Sequence, residues 1–243
     1  MYVAQGSGPN PTVLLLHGFP GHELNVDFAH ILRRAGWNVM IFHYRGSWGS
    51  QGEFSFTHCI EDVHSVLNYL RNPEIIHKFR MDVQKIVIIG FSMGGFLSLI
   101  SAIEDPSINA IASIAGVNFG HWATIVRNQE TGSVINDLLK EDLLPLNGTT
   151  SEQLIEEVLK NENNWNAINL AKNLSNRILL LVAGTKDTVV PISNHHKPLV
   201  EELLTYNSTH LTEKILEADH AFSDKRIALT RIILSWLGNL TQT

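Results

Sequence analysis

Apolar residues in this chain fall into two patterns: short unbroken runs, and longer stretches with helical spacing. After Pro11, the run Thr12-Val13-Leu14-Leu15-Leu16 has the continuity of a parallel strand buried on both faces. It breaks at His17-Gly18-Phe19-Pro20-Gly21. Asp27–Ala35 then reads as a helix with Phe28, Ile31 and Leu32 inward, closed by Gly36. Val39–Tyr44 is a second strand, followed by a flexible glycine-rich loop, Arg45–Gly52. Ile60, Val63, Leu67 and Leu70 mark the apolar face of the next helix.

The stretch Lys85–Glu104 organises the rest. Ile86–Ile89 is a buried strand, Gly90-Phe91-Ser92-Met93-Gly94 a sharp turn, and the apolar residues beyond it resume with helical spacing. Asn109–Ala115, Arg177–Ala183 and Lys214–Glu217 supply three more strands, and Lys225–Leu240 a closing amphipathic helix. Strands alternating with helices predict an α/β fold, a doubly wound and mostly parallel sheet in a single domain over residues 1–243. Ligands bind such sheets outside the carboxyl ends of the strands. Every unusual loop in this chain follows the end of a strand.

Between the fourth and fifth strands lies an interruption, Val117–Asn176. Its apolar residues have helical spacing: Val134, Leu138 and Leu139, then Leu154, Ile155, Val158 and Leu159. Asn161–Asn169 reads as a connection. The expectation is a small helical cap over the Ser92 end of the sheet, with Phe119, Trp122 and Trp165 either lining an apolar pocket or pinning the cap down. Trp48 in the glycine-rich loop has the same two readings.

Composition narrows the function. The chain has 243 residues, 44% hydrophobic and 17% charged, with a net charge of −6. A pI near 6.0 and the lack of any long basic run argue against nucleic acid or an anionic membrane as partner. No Walker or G-x-G-x-x-G signature is present, so no nucleotide cofactor is expected. The single cysteine, Cys59, reads as a buried small apolar residue in a reducing compartment. No apolar run is long enough to span a bilayer, and MYVAQGSGPNP lacks the regions of a signal peptide, so the cytoplasm is the expected location. The N-x-[ST] sites at Asn147 and Asn207 are then chance matches.

The chemistry concentrates at Ser92. A G-x-S-x-G at a strand-to-helix turn lifts the serine hydroxyl clear of the sheet. Three fixed positions alone occur by chance in roughly one chain in ten of this size, so the flanking strand and helix carry the signal. A serine needs a base to take its proton and a third group to orient that base. After the fifth strand comes Gly184-Thr185-Lys186-Asp187-Thr188-Val189-Val190-Pro191, and after the sixth Glu217-Ala218-Asp219-His220-Ala221-Phe222. Both place their candidate, Asp187 and His220, on the edge that carries Ser92. An oxyanion hole needs two backbone amides, and Met93 and Phe19 are the candidates.

HGFPG, GFSMGG, GTKDTVVP and ADHAF, in this order, resemble the α/β-hydrolase superfamily from Pro11 to Leu240. They are most similar to its bacterial carboxylesterase, cinnamoyl-esterase-like and prolyl-oligopeptidase-like branch. The resemblance implies Ser92 as nucleophile, His220 as general base and acid, Asp187 as the residue orienting His220, and Phe19 and Met93 as oxyanion donors. It implies no metal and no organic cofactor. It further implies a small-molecule ester as substrate, through an acyl-enzyme, with thioesterase, peptidase and non-catalytic ligand-binding readings as alternatives. Ser92 in place of an aspartate argues against haloalkane dehalogenase chemistry.

The family usually begins with two more strands before the HG loop. This chain reaches that loop at residue 17, as a short version of the sheet or one lacking an N-terminal hairpin, and the expectation is an exposed edge strand and a monomer or a homodimer. The remaining polar residues read as structural. The pair His195-His196 belongs on a solvated loop before Pro198 rather than at a metal, Glu61 and Asp62 are surface charges, and Glu217 and Asp219 lie too close in sequence to His220 to orient it.

Overall fold

The computed structural model describes residues 1–128, 136–137 and 139–241. Six parallel strands form one sheet in the order β2-β1-β3-β4-β5-β6. They are β1 (Asn10–Leu16), β2 (Asn38–Ile41), β3 (Met81–Phe91), β4 (Ala110–Ile114), β5 (Ile178–Gly184) and β6 (Leu211–Leu216). The unbroken apolar runs exist because successive side chains feed opposite cores. Leu14, Leu16, Ile86, Ile88, Leu179 and Leu181 pack on one side, while Val13, Leu15, Val87, Ile89, Leu180 and Val182 pack on the other.

The second of these cores is closed by two helices, Val26–Arg34 through Phe28 and Leu32, and Arg226–Thr241 through Leu229, Ile233 and Trp236. The first is closed by Phe56–Leu70, Met93–Glu104, Ala167–Leu174 and Lys197–Thr205. The sheet is therefore doubly wound.

Several boundaries depart from expectation. Pro73–Phe79 is an extra helix, capped by the Asn72 side chain accepting from Glu74 N–H at 2.9 Å. Lys197–Thr205 is another, with Pro198 in its first turn. There the proline gives up an amide that has no helical partner anyway, so it starts a helix rather than marking a loop.

The free side of β2 is partly covered, because Tyr2 and Val39 exchange two backbone hydrogen bonds of 2.7 and 2.8 Å. The open edge is instead β6, whose Glu213 and Lys214 discourage strand pairing. Arg45–Gly52 is stitched to the insert by Asn147 N–H to Gly46 O at 2.7 Å and Trp48 N–H to Pro145 O at 2.8 Å. That loop is thus tied to the insert.

The insert contains the helices Phe119–Val126 and Ser151–Lys160. Thr150 opens the second with a capping box, its hydroxyl accepting from Gln153 N–H while the Gln153 side chain accepts from Thr150 N–H. Val134 and Leu138 lie outside the described residues. Ala167–Leu174 does not belong to a cap, because Leu170, Ala171 and Leu174 join the main core and the helix packs on Met93–Glu104. It is the sheet-flanking crossover into β5. The expected connection Asn161–Asn169 therefore ends at Asn166, where the helix begins.

Candidate active site

The turn after β3 holds Ser92 at φ 56°, ψ −117°, a left-handed conformation that costs a serine roughly 1–3 kcal/mol. The surrounding backbone imposes it. Ser92 N–H donates to Ile114 O of β4 at 2.9 Å, and the Ser92 carbonyl accepts from Gly95 N–H at 2.9 Å. A Cβ on Gly90 would collide with the Gly94 carbonyl, and one on Gly94 with the Leu16 carbonyl. The glycines thus let the helix start pressed against the ends of β1 and β3. Ser92 Oγ has no hydrogen-bond partner among the described residues and faces an open cavity.

The loop after β1 meets this serine directly, since a Cβ on Gly18 would lie 3.0 Å from Ser92 Cβ. His17 is buried and its Nδ1–H donates to the Gly18 carbonyl at 2.7 Å. That carbonyl belongs to the same peptide unit as the Phe19 amide. With the carbonyl held by His17, the planar peptide turns the Phe19 N–H the opposite way. Among the described residues no acceptor takes the amide hydrogen of Phe19 or of Met93, and both residues line the cavity with Ser92. Burial pushes the His17 imidazole down to about 4, with nearby His43 adding to the effect.

Asp187 follows β5. Its Oδ1 accepts from Val189 N–H at 2.9 Å and Val190 N–H at 2.7 Å, and its Oδ2 takes the Nδ1–H of His220 at 2.7 Å. His220, after β6, lies against the Phe91 ring with centroids 5.0 Å apart. With Nδ1 holding the hydrogen in the neutral ring, Nε2 is left as an acceptor. The neighbouring acids are occupied elsewhere: Asp219 accepts from Ser223 at 2.8 and 2.7 Å, and Glu217 pairs with Lys186 at 2.9 Å.

The cavity at Ser92 has a volume of about 490 Å³ and a mostly apolar wall. Phe119 and Trp122 line it, as do Phe19, Val117 and Ile125. Trp165 does not. It is 5% exposed and wedged among Phe56, Phe96 and Phe119, so it supports the wall from behind. Trp48 lies outside as well, its Nε1–H on the Pro20 carbonyl at 2.9 Å.

Three polar residues were misplaced by sequence reasoning, among them His196, whose side chain is only 10% exposed with its Nε2 2.8 Å from Glu213. His195 is not solvated: it is 3% exposed at the end of the short helix Ile192–His195 and lines the cavity. Asp62 is only 14% exposed and takes both the backbone N–H and the Nε–H of Arg45, at 2.7 and 2.6 Å. Asn118 was missed altogether. Fully enclosed, its Oδ1 accepts from the amides of His121 and Ala167, at 3.3 and 3.0 Å, which joins two helix starts. An Asn preceding an apolar helical stretch was the available signal.

Among the described residues no three His, Cys, Asp or Glu side chains gather as a metal site, and no helix is long and apolar enough to cross a membrane.

Comparison with known proteins agrees with this architecture. The family model described as the alpha/beta hydrolase fold matches residues 11–134. A 31.7 kDa Escherichia coli protein from the traX-finO intergenic region is 33% identical over 116 residues, 46% of this chain and 39% of that protein. YfhR of Escherichia coli K12 is 25% identical over 203 residues, 81% of this chain and 61% of its own. The chain thus spans less than two thirds of the length of these relatives. A solved Pyrococcus furiosus esterase superposes with a TM-score of 0.68 at 18% identity, over 96% of this chain and 82% of that one.

Proposed function

This chain belongs to the alpha/beta-hydrolase fold family, and from that premise we propose that it is a serine hydrolase cleaving a carboxylic ester with a small or medium acyl or aryl group. The observation that carries the reading is the Asp187–His220 bond of 2.7 Å on the same sheet edge as a strained, unpartnered Ser92. The similarity to an esterase structure adds only the fold.

In this reading the substrate carbonyl lies beside Ser92 with its oxygen toward the Phe19 and Met93 amides. His220 Nε2 takes the Ser92 proton as Oγ attacks, and Asp187 steadies the imidazolium that forms. The two amides hold the developing oxyanion, each worth roughly 100- to 1,000-fold in rate. Collapse returns the proton from His220 to the leaving alcohol and leaves an acyl group on Ser92. Water, deprotonated by His220, then attacks that acyl group and releases the acid. No metal or organic cofactor enters these steps, and a small-molecule ester is the only partner they require. A cavity of about 490 Å³ accommodates a mid-sized acyl or aryl group and excludes a folded polypeptide.

The test is hydrolysis of p-nitrophenyl esters from acetate to dodecanoate, with Ser92→Ala alongside. The expected result is turnover that falls by roughly a million-fold in Ser92→Ala, with a chain-length optimum set by the cavity. Turnover that survives Ser92→Ala would overturn the reading.

A further inference from the structure

The cavity wall is mostly apolar; besides Ser92 its polar side chains include Asp142, Thr188 and the adjacent pair Asn194 and His195. His195 has a fixed chemistry there. Its Nδ1 accepts the backbone N–H of Asn118 at 2.9 Å. A backbone amide can only donate, so Nδ1 carries no hydrogen and the ring's one hydrogen is on Nε2. Among the described residues nothing accepts from that nitrogen. The His121 ring stands edge-on to His195 with centroids 5.1 Å apart and is itself held by Asn194 Nδ2–H at 3.1 Å. The ring therefore cannot turn freely to find another partner. A fixed donor without an acceptor, 3% exposed in a pocket, is a position built for a ligand oxygen.

We propose that His195 is a specificity residue whose Nε2–H binds a neutral oxygen on the acyl group of the substrate, beyond the scissile carbonyl. The inference rests on the esterase reading for the reaction but not for the binding. The oxygen is neutral because the cavity is lined by no Lys or Arg among the described residues and does include Asp142, so a carboxylate there would lack a counter-ion. An ether, ketone or hydroxyl oxygen meets the requirement. Burial, with His121 beside it, holds the imidazole down at about 4, so the donor is neutral and unchanged across the physiological range.

Two substitutions separate this role from mere packing. His195→Asn places a side-chain oxygen where Nδ1 was, keeping the bond to Asn118 while withdrawing the cavity donor. His195→Gln reaches to the Nε2 position with an amide N–H. The readout is a ratio, kcat/KM for a p-nitrophenyl ester whose acyl chain carries an ether oxygen over that for its all-carbon isostere. The intrinsic reactivity of the two esters cancels when the ratio is compared between proteins.

The ratio is expected to fall about tenfold in His195→Asn and to recover most of that loss in His195→Gln, as for one buried hydrogen bond. The same pair of esters is titrated calorimetrically against Ser92→Ala and its two His195 double variants, where binding is read without turnover. Wild-type protein that hydrolyses neither ester defeats the esterase reading, while the binding ratio still decides the role of His195. A ratio unmoved by His195→Asn, or lowered equally by both substitutions, overturns the proposal.

Discussion

The loops at the carboxyl ends of β1, β3, β5 and β6 and the insert between β4 and β5 build opposite sides of one cavity by different means. In the loops the chemical groups are fixed by hydrogen bonds to backbone amides and carbonyls at the strand ends. Ser92 is held by Ile114 O and Gly95 N–H, Asp187 by two amides of its own turn, and the Phe19 peptide by His17. The insert has no strand beneath it. Phe119 takes its place from Phe56, Phe96 and Trp165, and Asn118 ties residues 77 and 48 positions away in sequence, His195 and Asn166. Local backbone thus sets the reactive groups, and packing between distant segments sets what they are offered.

If that division is right, a subtle change in a loop alters rate far more than stability. Asp187→Asn is the sharpest case. The new side-chain oxygen still accepts from the Val189 and Val190 amides, so its NH₂ faces His220 Nδ1. His220 is then forced to accept there and to carry its hydrogen on Nε2, where it cannot take the Ser92 proton. The expected loss in kcat is roughly 10⁴-fold, with an unfolding midpoint close to wild type. A loss of less than about tenfold in an intact fold would show that Asp187 does not set the His220 tautomer.

The insert predicts the reverse. Trp165→Ala leaves a large void among three aromatic rings and is expected to cost about 3–5 kcal/mol of stability in urea unfolding. Because Trp165 does not line the cavity, kcat on the best ester is expected to change by less than about tenfold. A shifted acyl-length optimum with unchanged stability would place Trp165 in the pocket after all and erase the contrast.

The same division explains what could be read from the sequence. A strand in a doubly wound sheet delivers its following loop to a known edge, so Ser92, Asp187 and His220 were placed by counting strands. Phe119, Trp122 and Trp165 are all large apolar residues of one insert, and nothing in their spacing says which two face the cavity. His195 was misread because a proline three residues on suggests a loop, whereas Pro198 sits in the first turn of the helix Lys197–Thr205 and His195 ends the short helix Ile192–His195 just before it. Its partner is Asn118, and a contact over that separation leaves no local pattern. The capping box at Thr150 was legible and overlooked. The partial cover of β2 was not legible, because the two bonds from Tyr2 depend on the path of the first residues, which carry no strand pattern.

The smallest expected effect concerns two histidines buried in the neutral form, one after β1 and one after β5, the second bonded to Asn118 of the insert. Burial lowers His17 in the loop after β1 and His195 at the cavity wall from 6.5 to about 4 each. The folded protein therefore binds fewer protons than the unfolded chain between these values, and stability rises with pH across that interval. The contribution of each histidine is fully present above about pH 6.5 and is lost as the pH falls toward 4. Inside the window each contributes a slope of about 1.4 kcal/mol per pH unit. His195→Asn keeps the Asn118 bond but cannot take up a proton, so its stability curve is expected to be flatter than wild type by that amount. Urea unfolding between about pH 7 and pH 5 measures it. Parallel curves for the two proteins would mean that His195 reaches solvent when protonated, and then the cavity wall is not the fixed surface that a fixed donor requires.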